Sequence, residues 1–212
     1  MKEKAIQVAD YLLQIKAIKL DPANPFTWAS GWKSPIYCDN RKTLSYPEIR
    51  SFLQAYFSDV IREKYPQTES IAGVATGAIA IGALVADQLG LPFVYVRSKP
   101  KGHGLGNQVE GVIEPGQQLV IIEDLISTGG SSLDAVKAIR EAGGEVLGLV
   151  AIFSYEFALS ADRFKEARCE LTTLSNYSTL IERAAENGMI TPEQSDTLRK
   201  WREDPAHWDP GK

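Results

Sequence analysis

Three observations predict an α/β fold with a mostly parallel central sheet flanked by helices. Short apolar, β-branched runs recur at 71–75, 93–96, 119–122 and 145–153, with a further one at 169–174. Segments of helical period separate them, at 47–64, 78–89 and 132–142. Strands alternating with helices at this spacing form parallel sheets covered on both faces. The run Leu119 to Ile122 has no polar member, as expected of a strand buried on both sides.

The elements follow in order. Met1 to Ile18 has Ile6, Ala9, Leu12, Leu13 and Lys16 spaced for one helix face, and Asp21 to Pro25 breaks the pattern. Phe26 to Arg41 mixes aromatics with small polar residues and two basic ones, Lys33 and Arg41. As structure this is a short hairpin turning at Ser30-Gly31; as function it is a lid or wall for a flat ring, since aromatic faces stack on planar heterocycles. Composition leaves both open. Pro47 begins a helix with Ile49, Leu53, Phe57, Val60 and Ile61 inward. After the 71–75 strand, Thr76-Gly77-Ala78 turns into a helix closed by Gly90. The glycines between Gly73 and Gly82 match neither the dinucleotide spacing nor the Walker lysine pattern. Near the C-terminus, Ser178 or Thr179 caps a helix ending at Asn187-Gly188. Thr191, Pro192 and Gln194 then open another through a capping box, with Leu198 and Trp201 packing inward.

Composition limits the function classes. At 212 residues the chain supports one domain with a full core: an N-terminal helix and hood over 1–45, a core sheet over 70–175, and C-terminal helices and tail over 176–212. A net charge of −4 argues against wholesale nucleic-acid binding. Two cysteines, Cys38 and Cys169, imply no disulfide framework and suit a reducing cytoplasm. With only two histidines beside them, no zinc-type cluster assembles, and no apolar run is long enough to span a bilayer.

Two stretches carry chemistry. The first leaves the strand at Ile122 with Glu123 and Asp124, passes Leu125 and Ile126, and continues as Ser127, Thr128, Gly129, Gly130, Ser131 and Ser132 into a helix. Glycines admit a phosphate to the backbone, and turn amides with hydroxyls surround it at a positive helix N-terminus. Carboxylates are poor phosphate ligands but good acceptors for paired sugar hydroxyls. The pattern fits a ligand such as ribose 5-phosphate. The second stretch puts Arg97, Lys99, Lys101 and His103 within seven residues, with no acid between Asp87 and Glu110. Glycines and a proline make it a loop, and a basic loop in an acidic chain implies a local anion. Ordering each residue costs about 1 kcal/mol or more, and a charge-assisted hydrogen bond returns about 1.5–3, so the loop is expected to close over ligand.

Taken together, these residues resemble the orotate phosphoribosyltransferases along the whole chain. The resemblance runs through Phe26 to Gly31, Lys33 to Tyr37, Gly73 to Gly77, Ile122 to Ser131 and Leu174 to Ser178, and is most specific at Lys99 to Asn107. It implies a type I phosphoribosyltransferase fold and Mg2+-dependent transfer of ribose 5-phosphate from phosphoribosyl diphosphate (PRPP) to N1 of orotate in pyrimidine synthesis. Glu123 and Asp124 would hold the ribose hydroxyls, within a PRPP segment running through Leu125, Ile126, Ser127, Thr128, Gly129, Gly130 and Ser131. Ser127 would also touch orotate. Arg97, Lys101 and His103 would bind the diphosphate, reaching into the neighbouring subunit of a homodimer. Lys101, His103 and Asp124 would carry catalysis, and Mg2+ would be held largely by PRPP and water. Ser98 and Gly77 stand where some relatives carry lysine, and neither can supply that charge. A transferase for another base would lack the hood and the Lys99 to Asn107 loop. A PRPP-sensing regulator would need a basic N-terminal domain.

Overall fold

The computed structural model describes residues 2–28, 30–98 and 108–209. Ten strands, β1 (Ile18–Leu20), β2 (Phe26–Thr27), β3 (Lys33–Ser34), β4 (Ile36–Cys38), β5 (Ser70–Val74), β6 (Phe93–Val96), β7 (Val109–Glu110), β8 (Gln118–Ile126), β9 (Glu145–Ser154) and β10 (Leu171–Asn176), occur among these residues. The helices are α1 (Lys2–Gln14), α2 (Pro47–Lys64), α3 (Ile79–Leu89), α4 (Gly130–Glu141), α5 (Ala158–Glu166), α6 (Tyr177–Glu186) and α7 (Pro192–Glu203), with a 3-10 helix at Asn40–Ser45.

The main sheet runs β10-β9-β8-β5-β6-β7, parallel throughout except for the antiparallel edge strand β7. Alternation along β8 divides the core. Val120 and Ile122 pack with α1, α2, α3, α6 and α7, while Leu119 and Ile121 pack with α4 and Phe164 of α5. After β5 the chain goes to β6 on one side; after β7 it returns to β8 on the other. The crevice at the C-terminal ends of β5 and β8 is therefore the switch point where α/β sheets bind ligands.

A second layer of small sheets lies over this end. β1 pairs antiparallel with β4, and β2 with β3 in a hairpin turned by Gly31 at φ 87°. The hairpin is seated on the C-terminal helix: Trp201 Nε1 donates to the Lys33 carbonyl at 3.1 Å, and Trp28 meets Trp201 edge-on at 5.6 Å. Trp201 is fully buried.

The structure corrects several expectations. The first helix ends at Gln14, because Lys16 adopts φ 53° and Ile18 starts a strand. Lys16 is exposed rather than inward. The central strand does not stop at Ile122 but carries Glu123 to Ile126 with it, and the next helix begins at Gly130, not Ser132. The cap of α6 is Asn176, whose side chain accepts from Thr179 N, rather than Ser178 or Thr179. The capping box at Thr191 and Gln194 forms as expected. No helix of the described residues is long and apolar enough to cross a membrane.

Candidate active site

Two cavities open at the switch point. A polar one of about 360 Å³ is lined by Val74 to Gly77 at the end of β5, by Glu123, Asp124, Leu125, Ser127 and Ser131, and by Cys38, Asp39 and Arg41 from the small sheets. A mainly apolar one of about 250 Å³ is lined by Thr27, Trp28, Tyr37, Cys38, Leu125, Ser127 and Tyr155. Cys38, Leu125 and Ser127 belong to both, so the cavities adjoin along these three residues.

The β8 geometry explains the two carboxylates. Because the strand continues past Ile122, Glu123 and Asp124 point to opposite faces. Glu123 is 4% exposed, and its carboxyl oxygens accept from Ser132 Oγ and from Asp124 N, both at 2.9 Å. Burial, and then the neighbouring Asp124, push its pKa well above the ordinary 4.5. The folded state therefore keeps a proton that the unfolded chain has released. The associated stability is complete below about pH 4.5 and is lost as pH rises through the elevated folded value. Melting curves of the wild type and Glu123→Gln should diverge accordingly, the wild type losing ground as pH rises. A constant difference across the range would remove Glu123 as the cause.

Asp124 sits in the polar cavity, with its backbone carbonyl accepting from Asn40 Nδ2 at 2.6 Å across 84 residues of sequence. Gly77 lies directly against it: a Cβ there would overlap the Asp124 carboxylate. Arg41 faces the same cavity and donates from Nε to Asp39 at 2.6 Å, which holds the Asp39 carboxyl below its usual range.

The turn after β8 is open toward ligand. Gly129 takes φ 78° and precedes α4 with no side-chain cap, so the first amides of α4 remain available. Arg163 of α5 steadies the turn by donating to Thr128 O at 3.1 Å. Ser127 and Ser131 line the polar cavity, while the Ile126 side chain is buried in the α4 core. Thr128, Gly129 and Gly130 shape the turn without lining that cavity.

Arg97 lies beyond β6, its guanidinium 3.4 Å from Glu110 and its backbone paired with Gln108. Lys99, Lys101 and His103 lie outside the described residues. The described residues bring together no group of three His, Cys, Asp or Glu side chains able to hold a metal.

Sequence reasoning passed over Asn40, Arg41 and Tyr155 as site residues. Asn40 carried no local signal, because its partner is remote in sequence. Tyr155 had one: it immediately follows a parallel strand, and the ends of such strands line ligand crevices. Lys33 donates to Thr27 Oγ1 at 2.8 Å and so sets a cation beside the apolar cavity.

This fold and its paired cavities have the form of a phosphoribosyltransferase, and a family model described as phosphoribosyl transferase domain matches residues 43–179. The chain is 60% identical over 204 residues to an orotate phosphoribosyltransferase of Phocaeicola vulgatus, covering 96% of each chain. It is 58% identical over 212 residues to the Bacteroides thetaiotaomicron protein of the same name, covering 100% of each. A crystal structure of orotate phosphoribosyltransferase from Aeropyrum pernix aligns with a TM-score of 0.76 at 25% identity, over 87% of this chain and 99% of that one. The chain belongs to the orotate phosphoribosyltransferases.

Proposed function

We propose that the chain transfers the phosphoribosyl group of PRPP to N1 of orotate, giving orotidine 5′-monophosphate and diphosphate. The supporting observation is the junction of the two cavities at Cys38, Leu125 and Ser127. A ligand pair with one sugar-phosphate half and one flat half meets there, with the new glycosidic bond at the junction.

In this reading the 5′-phosphate takes the amides at the start of α4 and the hydroxyls of Ser127 and Ser131. Glu123 and Asp124 accept from the ribose hydroxyls, and orotate enters between Trp28, Tyr37 and Tyr155, with Ser127 beside it. Mg2+, which would arrive with PRPP rather than on protein ligands, would supply neutralisation of charge on the departing diphosphate. Arg97, Lys101 and His103 bring hydrogen-bond donors and positive charge there, from the neighbouring subunit of a homodimer. As the C1–diphosphate bond breaks, its electron pair leaves on the diphosphate oxygen and C1 becomes oxocarbenium-like; the electron pair of orotate N1 closes the new bond, and the N1 proton passes to the departing diphosphate. Asp124, next to the ribose, stabilises the positive charge on the ring. Preorganised charge in a closed site is the dominant catalytic contribution.

The test is the ultraviolet absorbance of orotate with the protein, PRPP and Mg2+, with uracil and hypoxanthine in parallel. Loss of orotate that requires both PRPP and Mg2+ is expected. Consumption of another base in preference to orotate would reassign the substrate.

A further inference from the structure

The Tyr155 ring is part of the buried core, but its hydroxyl takes no part in the fold or in the phosphate chemistry. It follows β9 directly, and its amide donates to the Ile126 carbonyl at 3.0 Å, so the backbone is fixed beside the end of β8. Its ring is held by Trp28, Phe153, Phe157, Tyr177 and Trp201, with centroids between 5.1 and 6.4 Å away. It is 2% exposed. Such a ring has one position.

Buried phenols normally find a partner for the hydroxyl. Tyr177 donates to the Leu198 carbonyl at 2.8 Å, and the Tyr65 hydroxyl meets Thr172 at 3.4 Å. For Tyr155 no hydrogen bond to another described residue occurs. Among the described residues no sealed side-chain polar atom lacks a partner, so this hydroxyl ends at the apolar cavity that Tyr155 lines. The residues lining that cavity carry no charged side chain; their polar groups are the hydroxyls of Thr27, Tyr37, Ser127 and Tyr155, the thiol of Cys38, and the indole N–H of Trp28, which is spent on the Ile36 carbonyl at 3.2 Å. Burial pushes the phenol up from its ordinary range.

We propose that Tyr155 is a specificity-determining residue of this chain, its hydroxyl donating a hydrogen bond to an oxygen of the pyrimidine base. This rests on the reading that orotate occupies the apolar cavity. A rigid, otherwise unpartnered donor favours a base with an acceptor at that point. It disfavours a flat ring lacking one, because the hydroxyl would then be left unmatched in a desolvated wall.

The test is Tyr155→Phe, which removes one oxygen and keeps every ring contact. The KM for orotate is expected to rise about 10-fold, the equivalent of one hydrogen bond. The KM for PRPP and the melting temperature should stay unchanged. Equilibrium titration should show the same pattern, with weakened orotidine 5′-monophosphate and unaltered PRPP. An unchanged KM for orotate overturns the inference. So does an equal rise in both KM values or a lowered melting temperature, which would mark the hydroxyl as structural. A wild-type protein that leaves orotate unconsumed overturns the underlying reading, and the inference with it.

Discussion

Lys101→Ala is expected to lower kcat by about 100-fold or more, the loss typical of removing one preorganised donor from a developing negative charge. The residue belongs to the run in which Arg97, Lys99, Lys101 and His103 are crowded with no intervening acid. The polar cavity, by contrast, is lined by Asp39, Glu123 and Asp124, with Arg41 as the one cation among its described lining residues, and Arg41 is bonded to Asp39. Charge for a departing diphosphate must therefore come mostly from elsewhere, and the basic run is the source we propose. Because that charge matters most as the bond breaks, orotate affinity should change far less than the rate. Single-turnover rates beside an orotate titration would separate the two. An unchanged rate would end the assignment of Lys101.

Gly77→Ala is expected to lower kcat/KM for PRPP by about 10- to 100-fold, the scale of a misplacement near 1 Å in a reacting group. Glycine there admits the Asp124 carboxylate, and any Cβ displaces it. The Asp124 backbone cannot follow, since Asn40 holds its carbonyl and β9 pairs with the strand on either side of it. The side chain must rotate from the position in which we propose it meets the ribose. Gly77 is not at positive φ, so the alanine backbone is tolerated, and the melting temperature should hardly move. For the same reason Gly77→Lys, which places lysine where some relatives have it, should impair this chain rather than improve it. Retention of full kcat/KM by Gly77→Ala would mean that the orientation of Asp124 is not critical.

Legibility followed the range of the interactions involved. α2, α3 and the Thr191 capping box were readable because their signals lie within a few residues. β8 was readable as a buried strand, though not in its length: the carboxylates looked like the end of a strand, yet Leu125 and Ile126 continue its pairing with β9. α1 was overrun because Ile15, Ala17 and Ile18 prolong an apolar spacing that the backbone abandons at Lys16. α5 was missed, since only Ser160 and Phe164 of its nine residues are buried. β7, two residues at a sheet edge, leaves no periodic trace. In the candidate site, the Ser127 to Ser131 turn and the acidic pair were legible as a motif. Asn40, Arg41 and Tyr155 reach it only through tertiary structure.

The seating of the hairpin on Trp201 bears on how far each cavity depends on the last helix. Two-residue strands such as β2 and β3 are marginal when isolated, and their anchors come from the other end of the chain: Trp201 bonds Lys33, and Tyr155 packs on Trp28. The first helix depends on late elements as well, with Ser175 donating to the Ala5 carbonyl and Arg183 paired with Asp10. The polar cavity is lined mostly by β5, β8 and the turn into α4, with Cys38, Asp39 and Arg41 from the small sheets. The apolar cavity takes Thr27, Trp28, Tyr37 and Cys38 from the small sheets, whose hairpin is held by Trp201 of the last helix. A truncation that removes α7 is therefore expected to disturb the apolar cavity more than the polar one.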